Sequence, residues 1–167
     1  YVGYRYFCSF AKDKVLYPFG YGLSYTEFTY DNLEIERKED HFHIKLYVKN
    51  VGDNIGKEVV QVYVQAPQGK LGKPERVLVA YAKTSLLRPG ESEQVEMEFS
   101  LKDIASFDDT GVTGHKRCFL LEKGTYNVLI SKDCMTDVCS ESFEVLEDII
   151  LEQCTKALYP TQSFNRM

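Results

Sequence analysis

Histidines and cysteines are the first residues of this 167-residue chain whose types and spacing could do chemistry. His41 and His43 alternate along one segment, so on a β-strand both would lie on the same face, as a pair of metal ligands does. No third ligand is evident at a fitting place, and the residues around them alternate as in an ordinary half-buried strand. We therefore interpret both histidines as solvent-facing and expect no metal site.

A second arrangement is the histidine–cysteine pair of the segment GVTGHKRC, His115 and Cys118. A cysteine nucleophile activated by histidine needs a third group that orients the histidine, and none is evident. The adjacent acids Asp108 and Asp109 are interpreted as the cap of a turn, because catalysis by two carboxyl groups requires them to face each other across a substrate. The sequence therefore predicts no catalytic residue and no cofactor.

Five cysteines are present, at positions 8, 118, 134, 139 and 154. An odd number without a paired C-x-x-C motif is neither a disulfide framework nor a zinc site. We expect reduced thiols, with a bridge between Cys134 and Cys139 as the leading exception. Reduced thiols are typical of the cytoplasm, which is the location we expect.

Charge and hydropathy exclude two classes of partner. The net charge is −5, with no concentrated basic face, so neither nucleic acid nor an anionic membrane surface is expected as a partner. No apolar run approaches the roughly 20 residues that a membrane-spanning helix needs.

Alternation of apolar and polar residues indicates the elements that would position these groups. In the segment 41–50, HFHIKLYVKN, every second residue is apolar, which predicts a half-buried strand. Similar stretches recur about every ten residues, separated by turns such as 50–56 and the Pro-Gly turn 88–91, and this spacing predicts an all-β antiparallel sandwich. The residues expected to face its core are Phe42, Ile44, Leu46, Val48, Val60, Val62, Val64, Val95, Met97, Phe99, Tyr126, Val128 and Ile130.

Three tyrosines on the predicted strands could present exposed rings. Tyr47 and Tyr63 are expected on solvent-facing sides of their strands, and Tyr81 is a third exposed candidate. Such rings can stack on sugars, but packing across strands is the interpretation we favour.

The two ends of the chain do not follow the alternation. Residues 1–25 are rich in aromatic side chains and are expected to be irregular, since the stretch YPFGYGLSYTEF (residues 17–28) contains two glycines and a proline. At the other end, Ile149, Ile150, Cys154 and Leu158 could form the stripe of a short helix that Pro160 would end. The alternative for this tail is a linker.

Five segments together resemble the C-terminal fibronectin type III-like domain of glycoside hydrolase family 3, which includes β-glucosidases and β-xylosidases. They are YVGYRYF (1–7), YPFGYGLSYTEF (17–28), VKNVGDNIGKEVVQVYV (48–64), KTSLLRPGESEQVEMEF (83–99) and EKGTYNVLIS (122–131). The resemblance implies three regions. Residues 1–25 would be the end of a preceding domain and an interdomain strap, residues 26–146 an immunoglobulin/fibronectin type III-like sandwich, and residues 147–167 a tail or linker.

The resemblance also implies that the catalytic residues lie on other domains of the parent protein. In that family the catalytic aspartate lies on a (β/α)₈ barrel, which alone takes about 250 residues, and the catalytic glutamate usually comes from an α/β domain. This chain is therefore expected to be a non-catalytic accessory domain of a bacterial enzyme that acts on an oligosaccharide or β-glucoside. Its expected partners are the catalytic domains of the same parent chain, which in some family members follow the sandwich.

The segment 17–28, called the aromatic strap below, is expected to fill the seam between the sandwich and a neighbouring domain. Arg5 would be a cation in that seam. The candidate seam residues are Arg5, Tyr6, Tyr17, Phe19, Tyr21 and Tyr25. The loop 68–75 and the segment 101–118 are the parts that could reach a substrate cleft. In the absence of a neighbour, the strap could pair two copies of the chain. The alternative functions are a carbohydrate-binding module and a free-standing interaction domain.

Overall fold

The computed structural model describes residues 1–157 and residue 162. It contains one short α-helix, ten β-strands and two 3₁₀ turns at Lys12–Lys14 and Leu101–Ile104. The helix and strands are α1 (Tyr4–Phe10), β1 (Phe28–Lys38), β2 (His41–Asn50), β3 (Val59–Gln65), β4 (Val77–Lys83), β5 (Ser92–Ser100), β6 (Ser106–Asp108), β7 (Cys118–Leu121), β8 (Gly124–Asp133), β9 (Thr136–Val145) and β10 (Ile149–Gln153).

Two antiparallel sheets form the body of the molecule. One has the strand order β1-β2-β5 and the other the order β4-β3-β8-β9. Their inner faces share one apolar core, to which both sheets contribute fully buried side chains such as Ile44 and Val62. The predicted all-β sandwich is confirmed.

The alternation also identifies the core correctly. All thirteen residues predicted to face inward are buried and belong to this core. Within it, Phe42 stacks on Phe99 with ring centroids 4.6 Å apart and contacts Phe143 at 4.7 Å. Because burial of each large apolar side chain contributes roughly 1.5–3 kcal/mol, this shared face holds the two sheets together.

The Pro-Gly turn before β5 is likewise confirmed. Gly90 has a φ of 83°, and the amide of Glu91 donates a hydrogen bond of 3.0 Å to the carbonyl of Arg88. A positive φ at the third position of a turn is the reason for glycine there.

The helix predicted for the tail is wrong. Ile149 and Ile150 begin strand β10, which pairs antiparallel with β7 opposite Leu121 and Leu120. A third small sheet results, with the order β10-β7-β6. Two adjacent isoleucines are compatible with a strand as well as with the apolar stripe of a helix. The strand forms here because β7, about 30 positions earlier, is available to pair with these residues. Leu158 and Pro160 lie outside the described residues.

The N-terminal extension is only partly irregular. Residues 15–27 form no helix or strand, as expected, but Tyr4–Phe10 form helix α1. A helix of seven residues is too short to be stable in isolation, so packing against the sandwich has to hold it. Among the described residues, no helix is long and apolar enough to cross a membrane.

Candidate functional site

Helix α1 lies on the outer face of the β4-β3-β8-β9 sheet. The ring of Tyr4 meets the ring of Tyr63 edge-on, with centroids 5.9 Å apart, and its hydroxyl oxygen accepts a hydrogen bond of 2.8 Å from the amide of Leu78. One turn later, Cys8 is buried in the same cluster with Leu129. The helix therefore replaces water over the middle of this sheet.

Two polar contacts fasten the end of α1 to the loop before β4. The hydroxyl oxygen of Ser9 accepts a hydrogen bond of 2.9 Å from the amide of Glu75. Lys12, in the following 3₁₀ turn, forms an ion pair of 2.5 Å with the carboxylate of Glu75. Because Lys12 is half exposed, we expect this ion pair to contribute little, and the buried contacts of Tyr4 and Cys8 to dominate.

The middle of the aromatic strap is anchored to the sheet at Gly20. Gly20 has a φ of 89°, and a Cβ atom there would collide with the side-chain amide of Gln61 on β3. Gln61 is itself fixed, since its Nε2 donates to the carbonyl of Lys132 (2.6 Å) and its Oε1 accepts from the hydroxyl of Tyr63 (2.7 Å). Glycine at position 20 thus allows both the conformation of the strap and its close approach to the sheet.

Tyr63 was expected on a solvent-facing side, and this expectation is wrong. Tyr63 is completely buried, because α1 covers the face on which it lies. Burial, together with the nearby Cys134 and Tyr4, raises the pKa of its hydroxyl. A signal was available in the sequence: the run 59–64 is almost continuously apolar, which is typical of a strand that is covered on both faces.

Most of the predicted seam residues remain exposed. Tyr25 is 93% exposed and Tyr17 is 74% exposed, whereas Phe19 is half covered because it stacks on Tyr4 at 4.9 Å. Tyr17 contacts Tyr21 at 5.3 Å. The structure thus brings Tyr17 and Tyr21 together, packs Phe19 on the helix, and leaves much of the ring surface of the strap in contact with solvent.

Helix α1 adds to this exposed surface on its outer side. Arg5 and Tyr6 are exposed there, and Tyr6 contacts the exposed ring of Phe10 at 5.6 Å. Phe7 and Phe10 were not among the predicted seam residues, because a helical arrangement of residues 4–10 was not predicted. The additional exposed apolar residues are Phe7, Phe10, Leu16 and Leu23. We call the outer sides of α1 and of the strap together the exposed aromatic surface.

Asp108 organises the loop before β7, as the predicted turn cap. It is fully buried, and its two carboxylate oxygens accept hydrogen bonds from the amides of Thr110, Gly111, Val112 and Thr113 and from the hydroxyl of Thr113. Burial alone would raise the pKa of Asp108, but the hydrogen bonds from Thr113, Gly111 and Val112 outweigh it and lower the pKa to about 2. The carboxylate therefore serves the shape of this loop.

The loop 68–75 is held by a second buried carboxylate, that of Glu122. Glu122 accepts from the amide of Lys70 (2.6 Å) and forms a buried ion pair with Lys73, whose ammonium also donates to the carbonyl of Pro67 (2.8 Å). Gly69, Lys70 and His115 line one groove of roughly 640 Å³. The two loops expected to reach a substrate cleft therefore lie together on one side of the sandwich.

The remaining chemical candidates are dispersed. His43 Nδ1 lies 3.7 Å from a carboxylate oxygen of Glu98 on the neighbouring strand, and among residues 1–157 and 162 no cluster of three or more metal-ligating side chains is present. Cys118 is fully buried, and burial raises its pKa, which is the opposite of what a nucleophile requires. Cys134 was expected to pair with Cys139 if at all, but its sulfur lies next to that of Cys8.

Comparison with known proteins agrees with this architecture. Residues 58–134 match the family model of the fibronectin type III-like domain. The chain contains a fibronectin type III-like domain. Its whole length is 44% identical to part of the β-glucosidase of Ruminococcus albus and 43% identical to part of β-glucosidase A of Butyrivibrio fibrisolvens. The chain spans only 18% and 22% of the lengths of these two relatives.

A solved structure shows the same relationship. In the β-glucosidase of Paenibacillus barengoltzii, a region 42% identical in sequence superposes on 97% of this chain with a TM-score of 0.88, and it makes up 18% of that enzyme. The fibronectin type III-like domain is thus one part of much longer chains in its relatives. In each of these β-glucosidases the region that matches this chain is a small part of the whole protein.

Proposed function

We propose that this fibronectin type III-like domain supports the catalytic domains of a β-glucosidase-type hydrolase and docks on them through the exposed aromatic surface. The observation that carries the proposal is the exposure of rings such as Tyr17 and Tyr25 beside a helix that is itself firmly packed. Exposed apolar side chains that lie close together mark interaction sites, and here Tyr17 contacts Tyr21 and Tyr6 contacts Phe10. The surface is therefore fixed in place on one side and free to receive a neighbour on the other.

The neighbour that fits best is another domain of the same parent chain. Relatives that match this chain over its full length are about five times longer, so most of each relative lies outside the matched region. The parent protein would hydrolyse an oligosaccharide or a β-glucoside, and this domain would contribute stability and positioning. Two loops, 68–75 and 109–117, are rigidly held by Glu122 and Asp108 and are available for the border of a substrate cleft.

Solvent labelling of tyrosine in the parent protein tests this proposal. Hydroxyl-radical footprinting of the isolated chain should modify Tyr17 and Tyr25 strongly, whereas the same rings in the full-length parent should be protected several-fold. Tyr47, which lies on the opposite sheet with its hydroxyl 2.8 Å from Gln94, is the matched control and should react equally in both. Equal labelling of Tyr17 and Tyr25 in both proteins would contradict docking through this surface. Protection of the isolated chain that depends on its concentration would instead indicate pairing of two copies.

The carbohydrate-binding alternative receives less support from the geometry. Tyr63 is buried, Tyr47 lies in the β1-β2-β5 sheet, and Tyr81 lies in the other sheet. The three rings therefore do not form the single planar platform on which a sugar chain would stack. Titration with cello-oligosaccharides or xylan fragments should give no saturable signal at millimolar concentrations, and a saturable signal would favour the alternative.

A further inference from the structure

One pair of cysteines joins two distant parts of the chain. The Sγ atom of Cys8 on α1 lies 3.4 Å from the Sγ atom of Cys134 and 3.5 Å from its carbonyl oxygen. Cys134 lies at the tip of the hairpin between β8 and β9. Both side chains are buried in the cluster that also contains Tyr63 and Leu129.

We propose that Cys8 and Cys134 are a thiol modification site that forms a disulfide, which covalently fastens α1 to the sheet. A disulfide bond is about 2.05 Å long, so the two sulfur atoms have to approach each other by only about 1.4 Å. The other three cysteines are placed elsewhere. Cys139 packs against the main core, Cys118 packs beside Leu120 in a separate cluster, and Cys154 follows β10.

The reaction requires an oxidant, for which a small-molecule disulfide such as oxidised glutathione suffices. The thiolate of one cysteine attacks the oxidant, forms a mixed disulfide and releases one glutathione thiolate. The second cysteine attacks the protein sulfur of the mixed disulfide, forms the Cys8–Cys134 bond and releases the second glutathione thiolate. The two protons lost by the cysteines end on the two glutathione molecules, and the two electrons lost by the cysteines reduce the oxidant.

The surroundings determine when this exchange occurs. Burial, reinforced by the adjacent Cys8, raises the pKa of Cys134 to about 12, so little of it is thiolate at neutral pH in the folded chain. Exchange is therefore slow while α1 is packed and proceeds when α1 opens or while the chain folds. Once formed, the bond is shielded from reductants by the same burial.

Refolding in a redox buffer tests the proposal without relying on access to the folded core. The full 167-residue chain is reduced and unfolded, and then refolded with reduced and oxidised glutathione. The mass should fall by about 2 Da, peptide mapping should link Cys8 to Cys134, and the midpoint of thermal unfolding should rise by about 10 °C, because the bond closes a loop of more than 100 residues. Because the bond is shielded in the folded chain, dithiothreitol should reverse both changes when it is added to the unfolded chain before refolding.

Three variants separate the proposal from general oxidation. Cys8→Ser and Cys134→Ser should each abolish the loss of 2 Da and the rise in the unfolding midpoint. Cys139→Ser is the matched control and should retain both. The proposal is overturned if the refolded chain carries glutathione adducts in place of the bridge, if mapping finds Cys134 linked to Cys139, or if the thiols stay reduced in the oxidising buffer.

Discussion

The backbone amide of Cys134 donates a hydrogen bond to the carbonyl oxygen of Phe19, with the two atoms 2.9 Å apart. This bond connects the aromatic strap to the hairpin between β8 and β9. It lies beside the contact of Gly20 with Gln61, so the middle of the strap is fixed while Tyr17 and Tyr25 on either side remain exposed. The strap is also joined to the sandwich at its C-terminal end, where Phe28 is buried in the core, and it presents the rings of Tyr17 and Tyr25 outward.

Replacement of Gly20 by alanine tests this anchoring point. We expect Gly20→Ala to lower the free energy of unfolding of the chain by about 1–3 kcal/mol, because the φ of 89° is strained for alanine and the methyl group meets Gln61. Gly22→Ala is the matched control, since no atom lies within 4 Å of a Cβ there, and it should change stability by less than about 1 kcal/mol. Urea denaturation measures both. Similar losses for the two variants would contradict the anchoring.

The hydroxyl of Tyr4 provides a test of how α1 is held. Tyr4→Phe removes the acceptor for the amide of Leu78, and we expect a loss of about 1–2 kcal/mol, because that donor is left without its partner. Tyr6→Phe, two residues along the same helix but exposed, should be close to neutral. Thermal unfolding of the two variants gives the comparison. A neutral Tyr4→Phe would mean that α1 is not bound to the edge of β4 as described.

The buried carboxylate of Asp108 predicts a pH dependence. Its folded pKa of about 2 lies below the value of about 3.9 in an unfolded chain, so its contribution to stability is fully present above pH 4 and is lost as the pH falls from about 4 to 2. This contribution is about 2–3 kcal/mol. Asp108→Asn should therefore destabilise the chain at pH 7, and the difference from the wild type should shrink by that amount at pH 2.

Urea denaturation at a series of pH values measures this difference. Asp53→Asn, at an exposed position in the turn 50–56, is the control and should differ little from the wild type at any pH. A difference between Asp108→Asn and the wild type that stays constant down to pH 2 would show that the carboxylate is not stabilised as its hydrogen bonds indicate.

The sandwich itself could be predicted from the sequence because its signals are local. In β2 and β5 one face is apolar and the other polar, so the alternation alone identifies Phe42 and Val95 as core residues. Tyr63 and β10 could not be predicted in this way. The burial of Tyr63 depends on a helix about 55 residues earlier in the chain, and β10 depends on pairing with β7. Contacts between distant segments decide both cases.

The composition of the exposed aromatic surface could be predicted from the sequence, but the arrangement of its rings could not. An uncharged stretch containing Tyr17, Phe19, Tyr21 and Tyr25 indicates a contact with another body. Helix α1 decides which of these rings packs against the sandwich, and the sequence did not predict this helix. Phe19 packs on Tyr4, Tyr21 is about half covered, and Tyr17 and Tyr25 are mostly exposed.

The exposed rings of Tyr17 and Tyr25 are proposed to contact a neighbouring domain, and this contact can be measured directly. The decisive measurement compares Tyr25→Ala and Tyr17→Ala in two settings, the isolated chain and the full-length parent protein. Thermal unfolding is measured in both settings, and the β-glucosidase activity proposed for the parent is measured in the parent. We predict a shift in the unfolding midpoint below about 2 °C in the isolated chain, since these rings are 93% and 74% exposed, and a loss of several degrees or of activity in the parent. Equal shifts in the isolated chain and in the parent, with unchanged activity, would contradict the account.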